Sequence, residues 1–257
     1  MDFTNQTRIE RVAIHEAGHA LVASFQSRLP EVRYVCMSPA PAGGGHCQLE
    51  ATDAALAAAK GNPIALRELY EQSMRVSAAG FSAERIAFGH AELDEKAEDS
   101  DAASLVRLAS LIWEIEVAQG AMTRRAKSKR KPASPPPRSR IGRLFAARLS
   151  AEFAAAPVSL TEQALRAVNR RVIECVERAF TVAEFLLRSR WGAVESIARH
   201  LIECQTIPGE LVRAAIETAP NRPKFLPTVD LLKRAALADP AIVRALVRLA
   251  DPKVEAA

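Results

Sequence analysis

The chain has 257 residues, 49% of them hydrophobic and 25% charged, enough to bury a core and too apolar for a disordered chain. Aromatic residues are only 5%, and the dominance of Ala, Leu, Arg and Glu favours helices. The net charge of +5 is concentrated: residues 123–140, TRRAKSKRKPASPPPRSR, hold eight Lys or Arg and no acid, which leaves a mildly acidic body.

No apolar run is long enough to span a bilayer, and Met1 to Thr7 is polar with no secretory apolar region. A soluble, cytoplasmic protein is expected. The four cysteines, Cys36, Cys47, Cys175 and Cys204, show no CxxC spacing and read as buried free thiols.

The first helix is predicted to start near Thr7, where Thr7 and Glu10 have capping-box spacing. Ile9, Val12, Ala13, Ala20, Leu21 and Phe25 recur with helical period, and Pro30 follows the helix. Glu31 to Met37 reads as a strand through Val32, Tyr34 and Cys36. After the Pro- and Gly-rich turn 39–45, His46 to Leu49 returns as the second strand of a hairpin, the one β-element expected.

From Pro63 the chain reads helical: Ile64 to Phe88, an acidic loop 92–99, then Ser100 to about Ala121. Residues 123–140 cannot bury apolar area and are expected to be disordered. A long helix follows, with Ser159 and Glu162 as a second capping box. Its stripe of Leu165, Val168, Val172, Val176, Phe180, Ala183 and Leu187 suits a core or a subunit interface. Gly192 is the expected break before shorter helices, Ala193 to Cys204 and Pro208 to Thr218; a Pro-rich tail with short helical stretches occupies 218–257.

The chemistry is concentrated in the first helix. His15 and His19 are four residues apart, so both imidazoles leave one helix face. Two neutral imidazoles so placed can hold one zinc ion. Glu16 stands beside them and can take the proton of an attacking water as a general base. This H-E-x-x-H pattern is a metallopeptidase signature with a physical basis. The flanking Val12, Ala13, Ala20, Leu21 and Val22 would bury the helix, and burying two histidines and a glutamate is costly unless a ligand satisfies them.

Ala13 to Ala23, AIHEAGHALVA, closely resembles the peptidase domain of FtsH-type zinc proteases. Further blocks resemble that family in order: Glu31 to Gln48 its small sheet and glycine-rich turn, Ala79 to Gly89 (AGFSAERIAFG), Asp99 to Ala109 (DSDAASLVRLA) and Leu201 to Ile216 (LIECQTIPGELVRAAI). The likeness covers roughly 7–217 and implies a mainly α FtsH-like peptidase domain over 1–217, with a small β-hairpin beside the zinc helix. It implies zinc ligands His15, His19 and Asp101, with Glu16 as catalytic base. Asp99 is the alternative to Asp101, which as a helix N-terminal charge also suits the dipole. Glu84 matches a family glutamate that supports a ligand histidine, and reads equally as a surface carboxylate. Gly18 matches the motif glycine and suggests close approach of another backbone. The resemblance further implies that an edge strand near Gly43 to Cys47 pairs with an extended peptide. His46 and Cys47 suggest a second metal site only weakly.

The expected function is a zinc metalloendopeptidase acting on unfolded or loosely structured proteins. Members of that family join this domain to an ATPase module and a membrane anchor and work as rings. This sequence carries no GxxxxGK[ST] loop, so ATP dependence is not carried over; a homo-oligomeric ring and an ATPase partner in trans are the implied partners besides protein substrates. Two readings stay open beside it. One is a peptidase-fold protein that binds without cleaving, which the intact His15, Glu16, His19 and Asp101 disfavour. The other is a nucleic-acid-associated module using residues 123–140; no aromatic is interleaved there for base stacking, so nucleic acid is the less favoured partner.

Overall fold

The computed structural model describes residues 3–38, 44–50, 52–91, 100–120 and 162–219, with side chains from residue 8 in the first stretch and from residue 170 in the last. Asp99, the turn residues 39–43, Ser159, the basic segment 123–140 and the tail from residue 220 lie outside the described residues. The fold is mainly helical, with seven helices and one three-stranded antiparallel sheet among the described residues. In chain order these are α1 (Phe3–Ala23), β1 (Val32–Met37), β2 (Gly45–Leu49), α2 (Thr52–Ala59), α3 (Pro63–Phe88), α4 (Asp101–Ala118), α5 (Glu162–Ser189), α6 (Trp191–Cys204), β3 (Thr206–Pro208) and α7 (Gly209–Thr218).

Helix α1 is the central element. Ala13, Ala17, Ala20, Leu21 and Val22 are wholly buried, and the helix packs on α3, α6 and both strands of the hairpin. The small residues let α1 and α3 approach closely. A Cβ at Gly18 would lie 2.8 Å from Ala83 Cβ and 2.9 Å from the Ala79 carbonyl oxygen, so the motif glycine does meet a neighbouring backbone. Helix α3 also packs against α4 and α5. Val172, Val176, Phe180, Ala183 and Leu187 of the α5 stripe are buried in this core.

Local signals set the helix ends. Asn62 Oδ1 accepts from the Ile64 and Ala65 amides, Pro63 occupies the first helical position, and Gly89 closes α3 at φ 79°. Ser100 Oγ accepts from the Ala103 amide at 3.3 Å and fixes the start of α4 at Asp101.

Several expectations are corrected. Helix α1 already runs from Phe3, so Thr7 and Glu10 lie inside it; their spacing suits one helix face as well as a cap. Helix α2 was unanticipated because its run TDAALAAA lacks a strong apolar stripe. The break between α5 and α6 falls at Arg190, with φ −129°, and Gly192 lies within the first turn of α6. The hairpin is the expected antiparallel pair, Val35 opposite Cys47 and Cys36 opposite His46. It is not the whole sheet: β3 pairs with the other side of β1, so β1 is central and β2 lies at an edge. The cysteines are free, yet of the four only Cys175 is buried, and Cys204 is exposed at the end of α6. Among the described residues, no helix is long and apolar enough to cross a membrane.

Candidate metal centre

Three side chains from two helices converge where α1 faces the start of α4. Among the described residues, His15, His19 and Asp101 are the group whose donor atoms could hold a metal, all within 4.8 Å of one another. His15 Nε2 lies 3.0 Å and His19 Nε2 2.9 Å from the same oxygen, Asp101 Oδ2. Ligands on a tetrahedral zinc at 2.0–2.1 Å stand about 3.3 Å apart, so the donor spacing is of the required size.

The far nitrogen of each ring decides what the near one offers. His19 Nδ1 donates to the Val76 carbonyl at 2.7 Å. His15 Nδ1 donates to Glu84 Oε1 at 2.6 Å. Both acceptors put the proton on Nδ1, so in the neutral rings each Nε2 presents a lone pair towards a carboxylate oxygen. Three lone pairs aimed together repel unless a cation sits among them. The donor set therefore fits a divalent metal, and in its place protons.

The titration behaviour is that of a cation-seeking cluster. Burial, the largest influence, lowers the His15 pKa, but hydrogen bonds to Asp101 and Glu84 outweigh it and raise the group to about 10. His19 is raised too, burial again being overcome by the Asp101 carboxylate. Asp101 is held well below the usual carboxylate range: the His19 and His15 rings overcome the burial that would raise it.

Helix α3 supplies the room. A Cβ at Gly80 would lie 2.5 Å from His15 Cε1 and 2.6 Å from Cδ2, so the ring occupies the space a side chain would take. Phe81 meets that ring edge-on at 5.6 Å between centroids. Glu84, 4% exposed, is held in turn by Arg11 Nη1 at 3.4 Å. Arg11 lies over the Phe88 ring at 5.1 Å, and its Nη2 is 3.0 Å from His90 Nε2.

Glu16 is 5% exposed, and its Oε2 is buried with no protein partner. Burial raises its pKa, while the His19 and His15 rings pull it down. Gly45 at the start of β2 is where the sheet meets this carboxylate; a Cβ there would lie 2.8 Å from Glu16 Cδ. An orphaned carboxylate oxygen facing a sheet edge, beside three converging lone pairs, is suited to hold and deprotonate a small polar molecule.

The structure brings His15, Glu16, His19, Glu84 and Asp101 together. His46 and Cys47 do not form a second cluster: adjacent strand residues point to opposite faces. Cys47 pairs opposite the wholly buried Val35, while His46 is exposed. Burial, the Glu16 carboxylate and Cys36 all push the Cys47 thiol up, away from the thiolate a metal requires. Sequence reasoning missed Gly80, the Val76 carbonyl and Arg11. A glycine amid the strong helix formers of α3 was a legible signal, since it costs about 1 kcal/mol there; a backbone acceptor leaves no mark in sequence.

No family model matches the chain. It is similar to an ATP-dependent zinc metalloprotease FtsH from Synechococcus sp. (strain JA-2-3B'a(2-13)), at 27% identity over 215 residues. The match covers 84% of this chain and 30% of that protein, so the chain spans under a third of the relative's length.

Proposed function

We propose that the chain is a zinc-dependent endopeptidase that cleaves unfolded or loosely structured protein segments. The observation that carries this reading is the convergence of His15 Nε2, His19 Nε2 and Asp101 Oδ2 beside the buried, unpartnered Oε2 of Glu16. The distant likeness to a zinc metalloprotease points the same way.

In this reading His15, His19 and Asp101 hold the metal, and Glu84 and the Val76 carbonyl fix the rings and their tautomers. Bound zinc supplies Lewis acidity towards a peptide carbonyl and a water. Glu16 accepts the proton of the attacking water at its free oxygen and returns it to the leaving amine nitrogen. Strand β2, at the sheet edge and against Glu16, offers backbone groups to an extended substrate.

The deciding experiment pairs metal analysis with casein cleavage. The purified protein is expected to hold about one zinc per chain and to cleave casein. Glu16→Gln is expected to keep the zinc and lose activity by at least about a hundredfold, since general base catalysis contributes 10²–10⁴. A Glu16→Gln protein with full activity would remove Glu16 from the chemistry, and a protein that takes up no zinc would remove the metal.

A further inference from the structure

The contacts that hold the His15 ring continue outward to a surface residue to which the zinc reading gives no task. Helix α3 ends in a left-handed turn at Gly89, φ 79°, and the exposed His90 that follows meets Arg11 of α1. His90 Nε2 lies 3.0 Å from Arg11 Nη2, and His90 Nδ1 lies 3.1 Å from the Phe88 carbonyl oxygen. The Phe88 ring lies against the same guanidinium, 5.1 Å from Arg11 Cζ. With its other terminal nitrogen, Nη1, Arg11 reaches Glu84 Oε2 at 3.4 Å.

These partners settle the tautomer of His90. A carbonyl only accepts, so the ring proton is on Nδ1. A guanidinium only donates, so Nε2 presents its lone pair to Arg11. The two ends of the Arg11 fork are thus fixed on different acceptors, His90 at the surface and Glu84 inside. A single ion pair at the rim of a protein contributes little and does not by itself hold a long side chain in one geometry. A planar fork gripped at both nitrogens and stacked on a ring has one orientation. Glu84, so held, accepts from His15 Nδ1 at 2.6 Å.

We infer that His90 is a positioning residue of the metal centre: by accepting from Arg11 Nη2 it keeps the guanidinium on Glu84, and through Glu84 it fixes the His15 ring. This role rests on the zinc reading and extends the support of the ligand to a side chain on the surface.

The test compares wild type, His90→Ala and His90→Gln as native full-length chains. Chelator competition measures zinc affinity, and NMR follows the guanidinium nitrogens of Arg11 in the metal-free protein. A glutamine side-chain oxygen can accept from Arg11, and an alanine cannot. His90→Ala should weaken zinc binding about two- to fourfold, less than the loss of a direct partner of a ligand histidine. His90→Gln should restore it. In an Arg11→Met background His90→Ala should change nothing further, since the two residues act in one line. The two Nη signals of Arg11 should stand apart in wild type and His90→Gln and merge in His90→Ala, where the fork can rotate. Merged signals in wild type, unchanged affinity in His90→Ala, no rescue by glutamine, or the same loss with Arg11 replaced would each overturn the inference and leave the zinc reading intact. A wild-type chain that binds no zinc would remove the zinc reading itself, and this role with it.

Discussion

Glu84 and His15 are separated by 69 positions in the chain and meet at 2.6 Å, carboxylate oxygen to ring Nδ1. The contact exists because Gly80 leaves a gap one helical turn before Glu84, into which the His15 ring projects. It sets which nitrogen of His15 faces Asp101. Removing it should free the ring to rotate and to take the wrong tautomer. Glu84→Ala is therefore expected to weaken zinc affinity by about 10–100-fold, the usual effect of losing a partner of a ligand histidine. Competition with a chromogenic chelator measures it. Unchanged affinity would reduce Glu84 to a packing residue.

Arg11 extends the same chain of contacts outward, holding Glu84 while lying over Phe88. Arg11→Ala should weaken zinc binding less than Glu84→Ala, by a few-fold, because one hydrogen bond to a charged group contributes about 1.5–3 kcal/mol and only part of it reaches the ligand. Arg11→Met, which keeps the apolar stem over the ring without the charge, separates the two contributions. If Arg11→Met matched wild type in the chelator assay, the stem and not the charge would position Glu84.

The raised pKa of His15 makes metal binding strongly pH-dependent. Free of metal, the ring keeps its proton up to about pH 10, and zinc must displace it. Zinc affinity should thus rise by about tenfold per pH unit for each proton displaced, and keep rising from pH 7 to 9. An ordinary histidine, half-titrated near pH 6.5, would already be flat there. The sign for the metal-free fold is the opposite. A group raised on folding adds stability below its unfolded pKa, near 6.5, and that stability is lost as pH climbs through 10. Calorimetric zinc titrations at pH 7, 8 and 9 check the first statement; affinity constant over that range would contradict it.

Much of this arrangement was legible in sequence, and the rest failed for identifiable reasons. The H-E-x-x-H face of α1, the hairpin, and the long helices α3, α4 and α5 follow from local period and turn residues, which act within a few residues. Strand β3 is three residues long. Its extended form comes from pairing with β1, a partner about 170 positions away, so no local pattern announces it. Ligand geometry shows the same divide. The residues alone left Asp99 and Asp101 as alternatives; Ser100 starts α4 so that Asp101 meets both histidines, while Asp99 lies outside the described residues. The Val76 carbonyl and the gap at Gly80 depend on how α1 crosses α3, which is a property of packing.

That crossing yields a prediction with two readouts. Gly18→Ala puts a Cβ against Ala83 Cβ and the Ala79 carbonyl, which are packed and cannot retreat. It should force α1 and α3 apart and destabilise the fold by about 1–3 kcal/mol, the usual cost of overpacking. Gly80→Ala puts its Cβ against a side-chain ring instead. It should displace His15 and cost zinc affinity at least about tenfold, with the smaller effect on stability. Denaturant midpoints and chelator competition on both variants give the comparison. If Gly18→Ala lost metal while Gly80→Ala did not, the assignment of the two glycines would be reversed.

The last prediction concerns the physical state of the substrate. Strand β2 lies at the sheet edge, and Glu16 sits against Gly45 at its start. A peptide that adds to that edge must offer unpaired backbone groups. In a folded domain those groups are already paired, and opening the domain costs about 5–15 kcal/mol. Cleavage by the purified chain should then follow the open population of the substrate, falling about tenfold for each 1.4 kcal/mol of added substrate stability. A set of variants of one small domain, graded in stability and assayed at equal concentration, measures that slope. The same set cleaved at a common rate would show that the chain does not depend on spontaneous opening, and pairing along β2 would lose its place in the reaction.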